Sequence, residues 1–280
     1  MTKTNPPKLL IGLLSAAAAV VLLAAVIVGV GSRKPEVQPP TEPAQTPPDP
    51  IAVLFPDLKR NEYDPNQFRF QNGYLSYGDG QSVLGVDVSS HQEEIDWQRV
   101  RSAGVEFAVI RAAYRGYTNG GLNMDPYFAA NLEGAKEAGL KVGVYLFSQA
   151  VSAEEAREEA EFLLDCLDGA SLDLPVFYDW EYVEGDSRTR NISGPEITEF
   201  ALEFCTGVEQ AGYDAGVYFN VSLGYTGLNL SKVKEYDFWL AQYEHAPDFL
   251  FDFGFWQYSD AGSVPGIDGN VDLNLMFLKD

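Results

Sequence analysis

Residues 175 to 183 read PVFYDWEYV, an apolar, aromatic run that ends in two carboxylates, Asp179 and Glu181, with one tryptophan between them. Such a run predicts a buried β-strand. Because successive side chains of a strand point to opposite faces, Asp179 and Glu181 should share one face and Trp180 the other. Two like charges buried side by side cost on the order of several kcal/mol unless one takes a proton, which is the property that a general acid needs.

Around this run, from Leu84 onward, short apolar segments alternate with amphipathic ones. The first five predicted strands are LGVDVSS, EFAVIRAAY, KVGVYLFSQA, LPVFYDWEY and DAGVYFN, with helical patterns after the first four. Ser152 is a predicted helix N-cap and Gly139 a predicted C-cap residue. Three further strands, YDFWLAQYE, FGFWQYS and GNVDLNLM, follow where the helical signal fades. The pattern predicts an α/β protein, an irregular (β/α) barrel of five βα units followed by three strands.

The amino-terminal region predicts a membrane anchor. Residues 9 to 31 carry no charge and are long enough to cross a hydrocarbon layer of roughly 30 Å as a helix. A cleavable signal peptide is the alternative, but its apolar region is normally shorter, about 7 to 15 residues. We therefore expect residues 1 to 8 to be a cytoplasmic tail, and the protein to be a single-pass protein of the cell membrane with its catalytic domain outside.

Three regions follow the predicted anchor. Residues 32 to 50 are rich in proline, which favours an extended, solvated spacer. Residues 51 to 83 contain Asn72-Gly73 between two aromatic-rich runs, a signal for a two-residue hairpin turn, so a small β appendage is expected there. Residues 84 to 280 form the predicted barrel domain.

Composition excludes several functions. The formal net charge of −22 would repel a nucleic acid, so no nucleic-acid partner is expected. The chain has only two histidines and lacks HExxH and Walker-type motifs, so neither a metal nor a cofactor is expected. Its two cysteines, Cys166 and Cys205, fall in predicted helices; two separate thiols are favoured over a disulfide.

Two more acids lie at predicted strand ends. Asp87 ends the first barrel strand, and Asp272 lies in the last strand, which must pair with the first if the sheet closes. Active sites of βα barrels gather at the carboxyl ends of the strands, where Asp179 and Glu181 also lie. Either aspartate could instead be a helix cap or a turn residue. If the barrel closes, all four acids meet in one cleft.

Several segments carry a family resemblance: GVDVSSHQ, IDW with VRSAGVEFAVIRA, AKEAGLKVGVYLFS, LPVFYDWE, FWLAQY, and FWQYS with GNVDLN. In this order over residues 84 to 280, they resemble glycoside hydrolase family 25, the muramidases. The resemblance implies cleavage of the β-1,4 bond between N-acetylmuramic acid and N-acetylglucosamine in peptidoglycan. It makes Glu181 the general acid and Asp179 its stabilising partner, with Asp87 and Asp272 lining the cleft. One departure is Glu93, where the family usually has glycine.

Sugar rings bind to aromatic faces and to hydrogen-bonding groups. Arg111 is a charge within an apolar strand, so it should be paired, and the cleft acids are candidate partners. The predicted substrate-binding residues are Arg111, Tyr145, Tyr218, Trp239 and Tyr243. A core role is the alternative for each aromatic residue.

Two further questions stay open at this stage. Asp179 could steady the substrate's own acetamido group, which gives retention of stereochemistry, or a carboxylate could activate water, which gives inversion; retention is favoured. A barrel that binds glycan without cutting it and a chitinase-like glycosidase are the alternative functions.

Overall fold

The computed structural model describes residues 55–278. The strands are β1 (Phe68–Gln71), β2 (Tyr74–Tyr77), β3 (Ser82–Val88), β4 (Phe107–Arg115), β5 (Leu122–Met124), β6 (Lys141–Ser148), β7 (Val176–Trp180), β8 (Ala215–Asn220), β9 (Asp237–Ala241), β10 (Phe255–Gly262) and β11 (Val271–Phe277). The α-helices are α1 (Trp97–Ser102), α2 (Phe128–Glu137), α3 (Ala153–Leu167), α4 (Gly194–Gln210) and α5 (Leu230–Val233). A π-helical turn, Leu223–Gly227, lies where the predicted helical signal fades.

Eight strands close into the predicted barrel. Their order is β3-β11-β10-β9-β8-β7-β6-β4, and β4 pairs again with β3 to complete the circle. The pairings are parallel except that β11 runs antiparallel to both of its neighbours, β10 and β3. The antiparallel strand makes the barrel irregular. β5, which the sequence pattern did not reveal, adds three residues antiparallel to the end of β4.

Side-chain alternation along each strand separates two apolar layers. On β7, Phe177 points into the barrel, where it packs against Trp239 and Phe255. Tyr178 belongs to the outer layer and packs against Phe204 of α4 with ring centroids 4.9 Å apart. Trp180 also lies in the outer layer, as the alternation predicts. Asp179 therefore shares the inner face with Phe177.

The helix ends follow local sequence signals. The Ser152 hydroxyl accepts a hydrogen bond from the Glu155 N–H at 3.2 Å, which confirms the predicted N-cap of α3. Gly139 follows α2 with φ of 76°, a left-handed conformation that glycine adopts without strain, and this confirms the predicted C-cap. Neither cysteine is in a disulfide: Cys205 is buried in α4 and Cys166 is half-buried in α3.

The predicted hairpin precedes the barrel. β1 and β2 pair antiparallel through Asn72 and Gly73, whose positive φ angles of 55° and 90° fit a two-residue turn. The hairpin packs on the barrel wall. The Leu75 N–H donates to the Tyr258 hydroxyl at 3.3 Å, and the Tyr74 hydroxyl donates to the Ser263 carbonyl at 3.2 Å.

The predicted anchor at residues 9 to 31 and the spacer at residues 32 to 50 lie outside the described residues. Between residues 55 and 278, none of the helices combines the length and the apolar character that crossing a membrane requires.

Glu93 provides a test of backbone strain. This exposed residue ends the short 3₁₀ turn Ser90–Gln92 with φ of 53° and ψ of −135°, a region that favours glycine. A glycine at this position has no β-carbon and so relieves the strain. We expect this gain in stability to exceed the loss caused by the greater entropy of glycine in the unfolded chain. We expect Glu93→Gly to unfold with a free energy about 1 kcal/mol higher than Glu93→Ala in urea titrations. Equal values for the two variants would show that this turn stores no strain.

Candidate active site

The four predicted acids line one cavity of about 270 Å³ at the carboxyl end of the parallel strands. Asp179 projects from the inner face of β7, and Glu181 follows one residue after this strand ends. Asp87 on β3 lies directly opposite Asp272 on β11 in the strand register. The closure of the barrel thus brings together acids from both ends of the domain, as the sequence predicted.

Asp87 and Asp272 form a hydrogen-bonded pair. Asp87 Oδ2 also accepts hydrogen bonds from Asn274 Nδ2 at 2.7 Å and from Gln257 Nε2 at 2.9 Å. Burial raises the pKa of Asp87, and these donors oppose that rise because they stabilise its ionised form. Burial and the neighbouring Asp87 raise the pKa of Asp272 to about 9. We infer that Asp272 holds the proton of the pair and Asp87 the negative charge, because Asn274 and Gln257 both donate to Asp87.

The two amides that face Asp87 are held in one orientation. The Gln257 Oε1 atom accepts hydrogen bonds from the Tyr218 hydroxyl at 3.1 Å and the Tyr243 hydroxyl at 3.0 Å. The Asn274 Oδ1 atom accepts one from Trp239 Nε1 at 2.9 Å. With their oxygens engaged, both amides present only their N–H groups to the acid. Neither amide was predicted; the available signal was a polar residue within an otherwise apolar strand.

Asp179 and Glu181 line the same cavity. Asp179 is buried, and its Oδ1 atom has no hydrogen-bond partner among residues 55–278. Burial, and then the charges of Glu181 and Asp87, raise the pKa of Asp179 well above its ordinary value, while the charge of Arg111 opposes this rise. Burial and the nearby Asp272 raise the pKa of Glu181. Burial and the neighbouring carboxyl groups therefore favour the protonated forms of both acids.

Gln149 fixes the chain on which Glu181 lies, a role that the sequence did not reveal. Its buried Nε2 atom donates to the Glu181 carbonyl at 2.8 Å and to the Ser148 carbonyl at 2.8 Å. Its Oε1 atom accepts from Thr189 Oγ1 at 3.0 Å and Ser187 Oγ at 3.3 Å. Three of these four hydrogen bonds thus join the amide to the loop after β7.

Arg111 is paired, but not with an acid of the cavity. Its guanidinium contacts Asp125 Oδ2 at 2.8 Å and the Ser90 hydroxyl at 3.0 Å, and it lies over the Tyr114 ring. The expected pairing with a cleft acid is therefore wrong. Asp125, just after β5, reaches Arg111 because β5 folds back on the end of β4. Arg111 lines an adjoining groove, which meets the cavity at Phe147.

The four predicted aromatic residues all line the cavity, but at different depths. Tyr145, Tyr218 and Trp239 are buried and pack in the barrel interior, where they form the cavity floor. Tyr243 is 51% exposed and stands at the rim. It is therefore the member of this set that offers an open ring face. Asp260 on β10 also lines the cavity and adds a carboxylate that was not predicted.

Residues 86–267 match the family model described as glycosyl hydrolases family 25. The chain belongs to glycosyl hydrolases family 25. This confirms the family that the sequence motifs indicated, and the chain is a glycoside hydrolase.

Two lysozymes and one solved structure give the extent of the similarity. Lysozyme M1 of Streptomyces globisporus is 30% identical, and the match covers 70% of this chain and 68% of that enzyme. An autolytic lysozyme of Clostridium acetobutylicum is 32% identical, over 69% of this chain and 55% of its own length. The autolysin LytC from Streptococcus pneumoniae, solved with a synthetic peptidoglycan ligand, has a TM-score of 0.64 at 24% identity, which shows a shared fold. That match covers 74% of this chain and about half, 51%, of LytC.

The Asp87–Asp272 pair predicts a pH-dependent stability. The pKa of Asp272 in the folded protein, about 9, lies above its ordinary value of 3.8. The protonated side chain therefore stabilises the folded state fully below about pH 4, and this stabilisation is lost as the pH rises toward 9. Asp272→Asn cannot titrate, and its amide can still donate to Asp87. The melting temperature of Asp272→Asn minus that of the wild type should therefore be larger at pH 8.5 than at pH 5, by at least about 3 °C.

The matched control is Asp268→Asn, which alters an exposed aspartate outside the cavity. Thermal unfolding followed by circular dichroism at the two pH values measures the difference. The same offset at both pH values for Asp272→Asn would contradict the assignment of the shared proton.

Gln149 predicts a stability effect of a different kind. Gln149→Ala leaves the Glu181 carbonyl and two buried hydroxyls without this partner, so we expect the free energy of unfolding to fall by about 2 kcal/mol in urea titrations. Gln98→Ala is the control, because Gln98 is exposed and makes one long hydrogen bond of 3.5 Å. Equal effects of the two substitutions would mean that Gln149 does not anchor the loop.

Proposed function

We propose that the protein is a muramidase that hydrolyses the β-1,4 bond between N-acetylmuramic acid and N-acetylglucosamine in peptidoglycan. Its family membership and the lysozymes among its relatives support this substrate class. The observation that carries the proposal is the buried Asp179 Oδ1 atom, which lacks a protein partner in a cavity shared with Glu181. A buried acceptor of this kind requires a donor, and a bound substrate can supply one.

In the proposed reaction Glu181 is the general acid. Burial raises its pKa, so the carboxyl group keeps a proton that it can give to the glycosidic oxygen as the bond breaks. Gln149 holds the Glu181 carbonyl and thereby limits the positions that the carboxyl group can take. A positioned acid with a pKa near the operating pH is what this proton transfer needs.

Asp179 is the proposed stabilising partner. An acetamido N–H of the substrate would donate to the free Oδ1 atom, and that hydrogen bond would favour the ionised form and lower the pKa of Asp179 on binding. The oriented acetamido oxygen would then attack the anomeric carbon as the bond to the leaving sugar breaks and that sugar takes the proton of Glu181. Water, activated by the deprotonated Glu181, would open the resulting ring from the opposite face, so stereochemistry would be retained. Nuclear magnetic resonance of the first-formed product distinguishes the two outcomes: the β anomer indicates retention, and the α anomer indicates inversion by an activated water.

Asp87 and Asp272 have a supporting role in this proposal. Asp87 is held as an anion by two amides and by the proton on Asp272. A fixed negative charge beside the sugar stabilises the positive charge that develops on the ring in an oxocarbenium-like transition state. The cleft thereby combines a proton donor, an acceptor for the substrate amide and an anion.

We further propose that residues 9 to 31 anchor the protein in the cell membrane, with the catalytic domain on the outside. The uncharged 23-residue length of this stretch and the proline-rich segment at residues 32 to 50 support the arrangement. In this arrangement the substrate is the wall polymer next to the membrane, and the spacer sets how far the enzyme reaches.

The chemistry is tested by substitution of the acid. Glu181→Gln keeps the shape of the side chain but has no acidic proton, so the rate of wall hydrolysis should fall by a factor of about 10² to 10⁴. The measurement is the release of reducing muramic acid ends from purified peptidoglycan by the full-length protein. Glu184→Gln, an exposed residue of the same loop, should keep the wild-type rate.

Three other results would contradict the proposal. Wild-type activity in Glu181→Gln would remove the general acid. Binding of the wall by the wild-type protein without any release of reducing ends would indicate a glycan-binding barrel. Faster cleavage of chitin oligomers than of glycans that contain muramic acid would indicate a chitinase-like enzyme.

A further inference from the structure

A second groove adjoins the catalytic cavity. It has a volume of about 460 Å³ and lies between the amino-terminal hairpin and the end of β10. Tyr243 lines both the groove and the cavity, so the two spaces share a wall. The hydroxyl of Tyr243 donates to Gln257 at 3.0 Å, and Gln257 donates to Asp87 at 2.9 Å. Two hydrogen bonds therefore separate this shared wall from the cluster of acids.

The lining of the groove suits a sugar. Leu75, Tyr258 and Leu273 are buried and form an apolar floor, and Phe70 on β1 lies beside them. Polar groups surround this floor, among them Glu244, His245 and Ser259. Carbohydrates are bound by an aromatic face together with hydrogen-bonding groups at the ring edges. Phe70 is 63% exposed, so its ring is open to such a contact.

The hairpin that carries Phe70 is held in place before any ligand arrives. Leu75, opposite Phe70 in the strand register, is tied to the Tyr258 hydroxyl through its N–H. Phe68, on the same face of β1 as Phe70, packs edge-on against Trp256 with ring centroids 5.3 Å apart. A fixed aromatic platform loses little conformational entropy when a ligand binds. The hairpin lies before residue 86, where the family match begins.

We propose that this groove is an additional sugar subsite, in which Phe70 stacks on a ring of the glycan strand beyond the sugars that contact the acids. The inference rests on the proposed function, because it takes the same polymer as the ligand. The groove continues the cavity along Tyr243, so a chain that fills the cavity extends directly into it. The hairpin thus gives this enzyme a preference for long glycan strands.

The test compares substrate lengths. We would measure kcat/KM of the full-length protein in mild detergent on peptidoglycan-derived glycans of eight and of four sugars. In Phe70→Ala the ratio of the eight-sugar to the four-sugar kcat/KM should fall about tenfold, through KM rather than kcat, because a stacking partner for the longer chain is lost. Phe70→Tyr keeps an aromatic face and should keep the ratio.

Gln71→Ala is the matched control, because Gln71 is exposed on the same strand and points to the opposite face. Its ratio should equal that of the wild type. An unchanged ratio in Phe70→Ala overturns the subsite. A change in molecular mass by light scattering in Phe70→Ala, without a change in the ratio, would assign the groove to a second copy of the chain.

The subsite and the proposed function fail in different ways. If the wild-type protein cleaves the four-sugar glycan and Phe70→Ala leaves the ratio unchanged, the function stands and the subsite is wrong. If the wild-type protein cleaves neither glycan, the function is wrong. Calorimetric binding of the eight-sugar glycan then still decides the subsite: an affinity about tenfold weaker in Phe70→Ala supports it, and an equal affinity or no binding overturns it.

Discussion

The antiparallel pairing of β11 with β3 is the constraint on which the site depends. It closes the barrel, and its register places Asp272 directly opposite Asp87. It also brings Asn274 to Asp87, two residues that are 187 positions apart in the sequence. A register shift of one residue would turn every side chain of β11 to the other face of the sheet. Neither the pairing of Asp272 with Asp87 nor the hydrogen bond from Asn274 to Asp87 could then form.

Crowding of carboxyl groups is costly to a fold, and the protein limits this cost in two ways. Burial and neighbouring charges raise the pKa of Asp179, Glu181 and Asp272, which favours the protonated forms of these acids. Asp87 is instead surrounded by groups that can only donate, because the oxygens of both amides are already occupied. A site that combines protonated and ionised carboxyl groups can carry out acid chemistry on a neutral sugar.

Much of this arrangement could be predicted from the sequence because it depends on short-range patterns. Alternation along PVFYDWEYV placed Asp179 on the inner face and Trp180 on the outer one. The caps at Ser152 and Gly139 follow from local backbone chemistry. The roles of the acids, which come from the family resemblance, stay predictions. The predicted anchor and spacer lie outside the described residues, so they stay predictions.

What could not be predicted is the choice of hydrogen-bond partners. Arg111 pairs with Asp125 across a fold-back that a three-residue strand creates, and so short a strand has almost no sequence signal. Gln149 directly follows β6 and Gln257 lies within β10, and neither position marks the amide as part of the site. Their roles depend on side chains far away in the sequence, such as Thr189 and Tyr218.

A site built from both ends of a domain has a consequence for the order of folding. Contacts between residues so distant in the chain form late, because a long loop must first be closed. Until β11 inserts, β3 has an unpaired edge and Asp87 lacks the partners that β11 supplies. The acid cluster is therefore complete only once β11 has paired with β3, and a chain whose barrel has not closed lacks this site.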